Sequence, residues 1–91
     1  MLNNRIYSDM RMLDNFSKKW SIAGKSEIID INKKLGCSIP EGADYHTLAG
    51  FLLEKFQKVP KIGDVLDFSN IKFEVISMSG PKIDRVKIWE E

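Results

Sequence analysis

The stretch YHTLAGFLLEKFQKVPKIGD, from Tyr45 to Asp64, decides the fold of this 91-residue chain. Its apolar side chains recur at steps of three and four residues, which places them on one side of an α-helix. They are Leu48, Phe51, Leu52, Phe56 and Val59. Pro60 is predicted to end this helix, because the residue before a proline is pushed out of the α region. We therefore expect one amphipathic helix followed by a turn.

The start of this helix offers two capping side chains and one unusual glycine. Asp44 is the favoured cap for the free amides of the first turn, and Thr47 is the alternative. Gly50 lies inside the helix, where a glycine costs roughly 1 kcal/mol relative to alanine. It is either a tolerated defect or, as we prefer, a point where a strand or a second helix lies close to Ala49 and Gly50.

Length and composition restrict the classes of protein to which the chain can belong. Ninety-one residues make one domain at most. Fourteen basic and thirteen acidic side chains leave a net charge of +1, which argues against a nucleic-acid partner and against a polybasic membrane-binding patch. No apolar run approaches the ~18 residues of a membrane span, and no signal peptide is expected at the first residues. The single Cys37 cannot form an internal disulfide, which fits a reducing compartment.

The N-terminal part of the chain is divided into a tether and the start of the domain. Residues 1–15 are assigned to an N-terminal tether or linker, and residues 16–91 to the folded domain. Alternation over residues 10–14 allows a short strand. A second strand is predicted over residues 20–23, and Gly24 ends it.

A first helix is predicted after this second strand. Ser26 is expected to cap it, and Gly36, which follows two lysines, is the expected stop. The side chains expected to be buried are Ile28, Ile29, Ile31 and Leu35. Those expected to face water are Asp30, Asn32, Lys33 and Lys34. A loop follows, in which Ile39 is predicted to turn inward.

The last third of the chain predicts two hairpins whose registers follow from their turns. Ser69 and Asn70 form a two-residue loop, which pairs Phe68 with Ile71, Leu66 with Phe73, and Asp67 with Lys72. A second turn over residues 79–82 pairs Met78 with Ile83, Val75 with Val86, Phe73 with Ile88, Glu74 with Lys87, Lys72 with Trp89, and Ile76 with Arg85. Both hairpins turn the same apolar face inward. The predicted fold class is therefore α+β, with two helices packed on a mainly antiparallel sheet that ends in a three-stranded meander.

The polar residues do not indicate an enzyme. His46 is the only histidine, and it lacks the three or four converging ligands of an ordinary metal site, so no metal is predicted. Cys37 has no histidine at catalytic spacing. The carboxylates Asp64, Asp67 and Asp84 are spread over turns and strands rather than paired for acid–base chemistry. No catalytic residue is predicted.

The solvent-facing side of the predicted meander is the candidate binding face. Its members are Lys72, Glu74, Arg85, Lys87 and Trp89, with Ile76 among them. Because guanidinium groups and aromatic rings can stack on planar ligands, this face could hold an adenine nucleotide or a partner protein. A solvated antiparallel sheet face has the same composition, so both interpretations stay open.

These motifs, taken together, resemble the CorC/HlyC transporter-associated domain. The resemblance covers residues 18–90 and rests on the runs WSIAGK at 20–25, KLG at 34–36, IPE at 39–41, YHTLAG at 45–50, VPKIGDV at 59–65, IKFEV at 71–75 and IDRVKI at 83–88. The matching residues, expected to be mostly structural, are Trp20, Gly24, Tyr45, Thr47, Leu48, Ala49, Gly50, Pro60, Gly63, Asp64 and Phe73. The family often carries an Asp-Gly pair before the first helix, where this chain has Ala23-Gly24.

The resemblance implies a transporter-associated or FAD-binding-like α+β domain without catalytic activity. It implies a regulatory module at the cytoplasmic face of the cell membrane, in a magnesium and cobalt efflux protein or hemolysin-like protein. The expected partners are the CBS pair and the membrane domain of the full-length protein, or a second copy, and not nucleic acid. The alternative function is a small-molecule-binding module for an adenine nucleotide or FAD.

Overall fold

The computed structural model describes residues 10–14 and 18–90 of the chain. These residues form five strands and two helices, which are β1 (Met10–Asp14), β2 (Lys19–Ala23), α1 (Ile28–Leu35), α2 (Leu48–Phe56), β3 (Val65–Phe68), β4 (Ile71–Ser79) and β5 (Lys82–Glu90). Of the predicted tether over residues 1–15, residues 1–9 and 15 lie outside the described residues, and residues 10–14 form β1. The proposed division at residue 15 stays a prediction, although β1 pairs with β2 across it.

The five strands form one antiparallel sheet in the order β1-β2-β5-β4-β3. Strand β5 therefore lies at the centre, between β2 and β4. Both helices pack on one side of this sheet, whose inner face supplies buried side chains to the core. The α+β prediction, both N-terminal strands and the C-terminal meander are confirmed.

The predicted register is confirmed at all but one position. The first hairpin pairs Phe68 with Ile71, Leu66 with Phe73, and Asp67 with Lys72. The second pairs Met78 with Ile83, Val75 with Val86, Phe73 with Ile88, Glu74 with Lys87, and Lys72 with Trp89. The expected pair of Ile76 with Arg85 is wrong, because the ladder shifts locally and sets Ser77 opposite Arg85. The Ser77 hydroxyl donates to the Asp84 carboxylate at 2.8 Å, which stabilises this shift.

The core lies between the inner sheet face and the two helices. Its fully buried large side chains are Phe51, Phe73, Ile22, Ile28, Ile31, Leu48, Leu52, Val75 and Val86. The Phe51 ring lies 5.4 Å from the Phe73 ring and 5.3 Å from the Phe68 ring, measured between centroids. Aromatic pairs at such tilted geometry are favourable beyond the area that they bury. Ile39 is also buried, as predicted.

Helix α2 is shorter than its sequence predicts, and its cap is different. Thr47, the alternative cap, accepts a hydrogen bond on its hydroxyl from the Gly50 amide at 3.1 Å, so the preference for Asp44 is wrong. The helix ends at Phe56 because Gln57 adopts a left-handed conformation with φ of 61°. Val59 therefore lies beyond the helix and is 56% exposed, so its assignment to the buried side is also wrong.

The sequence also misplaces three side chains at α1. Ser26 is not the cap: Glu27 holds that position without a side-chain hydrogen bond, and the Ser26 hydroxyl is buried without a partner. Ile29 is 50% exposed rather than buried, because it lies on the side of α1 that faces away from the sheet. Asn32 turns inward instead of facing water. Its side-chain amide donates to the Ile39 carbonyl at 2.9 Å and accepts from the Ile39 amide at 2.8 Å.

Candidate functional site

The candidate site is the outer face of the sheet, the side opposite the helices. Strands alternate their side chains between two faces, and the confirmed register brings all five predicted residues to this side. Two cross-strand pairs form its centre: Lys72 lies opposite Trp89, and Glu74 lies opposite Lys87. Arg85 lies on the same strand as Lys87 and faces β2. The sequence thus predicted correctly that these five side chains share a face.

Lys87 contacts two other members of the outer face. Its ammonium lies 3.4 Å from a carboxylate oxygen of Glu74 and 5.2 Å from the centre of the Trp89 ring. A cation within about 6 Å of an indole face is attracted by the ring quadrupole. Both charged side chains of the pair are 30% exposed, so solvent screens the pair and its contribution to stability is small.

The other two basic side chains of this face also have partners. Lys72 forms an ion pair with Asp67, the cross-strand partner that the sequence predicts. The Arg85 guanidinium donates from Nε to the Ser21 hydroxyl at 3.2 Å and from Nη2 to the Ser21 carbonyl at 2.9 Å. An anionic ligand on this face would have to compete with the carboxylates of Glu74 and Asp67.

Ser21 belongs to this face, and sequence reasoning missed it. It is buried although it lies on the solvent side of β2, because the Arg85 side chain bonds to it. Alternation with Trp20 and Ile22 was a usable signal that Ser21 points outward. The pairing of β2 with β5 was not readable, since no turn connects these two strands.

The residues near the start of α2 that match the family motif pack closely together. The Ala49 amide donates to the Gly24 carbonyl, and the Gly24 amide donates to the Asp84 carbonyl, both at 2.8 Å. A Cβ atom on Gly50 would stand 2.6 Å from the Cβ of Tyr45. The close approach predicted at Ala49 and Gly50 is therefore real: the backbone directly after β2 lies against Ala49, whereas the neighbour of Gly50 is the side chain of Tyr45 in the preceding loop.

The other residues that match the family motif also have structural roles. Leu48 and Phe73 are fully buried, Trp20 and Tyr45 pack against the core, and Pro60 is buried. Gly63 and Asp64 form a turn between α2 and β3, in which Gly63 has φ of 96°. The binding role of the outer face, in contrast, stays a prediction.

The potential catalytic and metal-binding side chains lie apart from one another. Among residues 10–14 and 18–90, no group of three or more His, Cys, Asp or Glu side chains is positioned to hold a metal ion. His46 is exposed, and its Nδ1 atom lies 3.3 Å from the carboxylate of Glu41. Burial raises the pKa of the Cys37 thiol above its ordinary value, and its sulfur lies 3.3 Å from the Asn32 side-chain oxygen that accepts its hydrogen bond. A thiol in this state is a poor nucleophile.

Comparison with known proteins identifies one family. The model of the transporter-associated domain, CorC_HlyC, matches residues 14–91. The chain is 31% identical over 70 residues to the polyamine export protein of Salmonella typhimurium. This alignment covers 76% of this chain and 16% of that protein. It is 39% identical over 62 residues to a UPF0053 protein of Synechocystis, covering 68% of this chain and 13% of that protein. The chain thus spans about a sixth or less of the length of these relatives.

Solved structures share the fold. A domain from Neisseria meningitidis, named as the region associated with the Mg²⁺ and Co²⁺ transporter CorC, superposes with a TM-score of 0.81. The alignment covers 91% of this chain and 99% of that domain at 17% sequence identity, so it supports the fold alone. Neither helix in the described part of the chain is long and apolar enough to cross a membrane.

Proposed function

The chain belongs to the CorC/HlyC transporter-associated domain family, and from this premise we propose that it is a non-catalytic regulatory module of a membrane transporter for cations. The relatives that are named polyamine export proteins support a cationic substrate, and the resemblance of the sequence implies magnesium and cobalt. Magnesium and cobalt remain the ions that we propose first. The family is defined by association with transporters and not by a catalytic activity.

The main support for this proposal is that the chain matches only a small part of the length of each relative. The alignment covers 76% of this chain but only 16% of the Salmonella polyamine export protein. The rest of such a protein would supply the transport path, and this domain would act on it. We propose that it does so from the cytoplasmic face, where a reducing environment suits the free thiol of Cys37.

The proposed mechanism is a shift of a conformational equilibrium. The domain would contact the CBS pair and membrane domain of the full-length protein, or a second copy of itself. Such contacts change transport only if they differ between two states of the transporter. The outer face suits this role because its two ion pairs, Lys72 with Asp67 and Lys87 with Glu74, are partly exposed, so charged groups of a partner could replace one member of each.

A transport assay tests the proposal. The longer protein that carries this chain would be produced in cells with and without residues 14–91, and the export of Mg²⁺, Co²⁺ and spermidine would be measured. We expect export to persist with an altered rate or an altered dependence on cation concentration. Export that is unchanged in both respects, at equal amounts of protein in the membrane, would contradict a regulatory role.

A matched variant separates regulation from simple loss of the domain. Arg85→Ala removes the link between β5 and Ser21 on the outer face, whereas Lys33→Ala removes an exposed charge on α1. We expect Arg85→Ala to reproduce part of the effect of the deletion and Lys33→Ala to leave transport unchanged. Equal effects of the two variants would remove the outer face from the proposal.

A further inference from the structure

A hydrogen-bonded turn over residues 61–64, between α2 and β3, exposes the side chain of Ile62 to solvent. The Asp64 amide donates to the Lys61 carbonyl at 3.0 Å, and the Asp64 carboxylate accepts from the Lys61 amide at 2.9 Å. Gly63, the third residue of the turn, has φ of 96°, which is the conformation that a type II turn requires there. Ile62 occupies the second position and is 64% exposed.

The position of this turn is fixed by the sheet. The Gly63 amide donates to the Val75 carbonyl at 2.7 Å, and the Val75 amide donates to the Asp64 carbonyl at 3.0 Å. On the other side of the turn, Pro60 is buried. The exposure of Ile62 is therefore a property of a well-anchored turn, and nothing in the packing of the domain requires an apolar side chain there.

Two further aliphatic residues and two lysines surround Ile62 in the chain. Val59 is 56% exposed and Val65 is 50% exposed. Lys58 and Lys61 are exposed, and neither side chain forms an ion pair with any other part of the described chain. The segment from residue 58 to residue 65, which we term the docking turn, thus combines exposed aliphatic side chains with two exposed lysines and one carboxylate, that of Asp64, so its net charge is +1.

We propose that the docking turn contacts an anionic lipid surface. Segments that lie in a membrane interface combine apolar side chains with lysine or arginine, which are attracted to acidic lipids. Charged residues, lysine among them, are instead depleted at the centres of protein interfaces, whereas a lysine beside an acidic lipid surface is attracted to it. Lys58 and Lys61 therefore favour a lipid surface over a protein groove.

This inference rests on the proposed function, because a module attached to a membrane protein lies beside the bilayer. Attachment raises the local concentration of the turn at the surface, so a weak contact is sufficient. A contact of this kind would orient the domain relative to the membrane and leave its outer face available for the rest of the transporter.

Co-sedimentation with vesicles tests the inference. The chain would be mixed at high lipid concentration with vesicles of phosphatidylcholine alone or of phosphatidylcholine with phosphatidylglycerol. We expect partition into the anionic vesicles, weakened by salt and lowered several-fold by Ile62→Ser. Each of the changes Lys58→Gln and Lys61→Gln is expected to lower partition by about fivefold, as typical for a lysine near an acidic surface.

Ile29→Ser is the matched control, because Ile29 is an exposed isoleucine on α1 and does not belong to the docking turn. It is expected to leave partition unchanged, and the thermal midpoint of each variant would verify that the domain remains folded. Absence of binding to anionic vesicles, or an equal loss in Ile29→Ser, would overturn the inference while leaving the transport assay valid. Vesicle binding with transport unaffected by removal of residues 14–91 would contradict only the proposed function.

Discussion

The backbone of Gly24 lies directly against the carbonyl group of Ile83. A Cβ atom added to Gly24 would stand 2.2 Å from the Ile83 oxygen and 3.4 Å from the Cβ of Ala49. The two backbone hydrogen bonds of Gly24 go to β5 and to the first turn of α2. This residue thus joins the end of β2 to the central strand and to the helix at a distance that only glycine permits.

We expect Gly24→Ala to lower the free energy of unfolding by about 3 kcal/mol, the upper range for overpacking at a site whose neighbour is backbone. Gly36→Ala is the control: its φ of 71° is left-handed, but nothing lies within 4 Å of an added Cβ. Strain alone should cost it roughly 1 to 2 kcal/mol. Urea unfolding of both variants measures the difference, and equal losses would refute the steric account.

The cap of α2 can be assigned by a pair of alanine substitutions. Thr47→Ala removes the hydroxyl that accepts from the Gly50 amide and should cost about 1 kcal/mol of stability. Asp44→Ala changes an exposed side chain without a capping role and should stay within roughly 0.5 kcal/mol of the parent. A larger loss for Asp44→Ala than for Thr47→Ala in thermal or urea unfolding would reverse the assignment.

The buried thiol predicts a dependence of stability on alkaline pH. Burial raises the pKa of Cys37 above that of an exposed thiol, so the folded chain holds the thiol proton more tightly than the unfolded chain. This contribution is fully present below pH 9 and is lost as the pH rises through the folded pKa. We expect Cys37→Ala to show a shallower loss of stability above pH 9 than the parent. Identical pH profiles would show that the thiol titrates alike in both states.

The nucleotide alternative for the outer face can be tested by thermal shift. Because Lys72 and Lys87 are ion-paired with Asp67 and Glu74, we expect ATP and FAD to leave the unfolding midpoint unchanged. A ligand at 100 times its dissociation constant would stabilise the domain by about 2.7 kcal/mol, which is several degrees. A shift of that size that is lost in Trp89→Ala would establish the nucleotide-binding alternative instead.

The sequence was most informative where the decisive interactions are local. The turn at Ser69 and Asn70 sets the register of its hairpin, since the φ values of 54° and 67° at these residues match a tight two-residue loop. Alternation then fixes which side chains share a face. The turn and the alternation together predict that Lys72 lies opposite Trp89 and Glu74 opposite Lys87, as the structure shows.

Long-range and competing interactions could not be predicted from the sequence. Ser21 and Arg85 meet although they lie 64 residues apart, and no turn connects their strands. Pro60 limits how far α2 can extend, but the left-handed conformation of Gln57 ends it earlier. Asn32 resembled a solvated helix residue, and only the folded loop reveals that it binds both backbone groups of Ile39.

Strand β5 lies in the middle of the sheet but is made after the other four strands. Until the ribosome has released Lys82–Glu90, the pair β1-β2 and the pair β3-β4 have no strand to connect them. The nascent domain therefore cannot close its sheet early, and its fold is expected to form in one late, cooperative step dominated by distant contacts. A premature stop codon within these nine residues would leave two separate hairpins with open edges, a form that invites aggregation and rapid proteolysis.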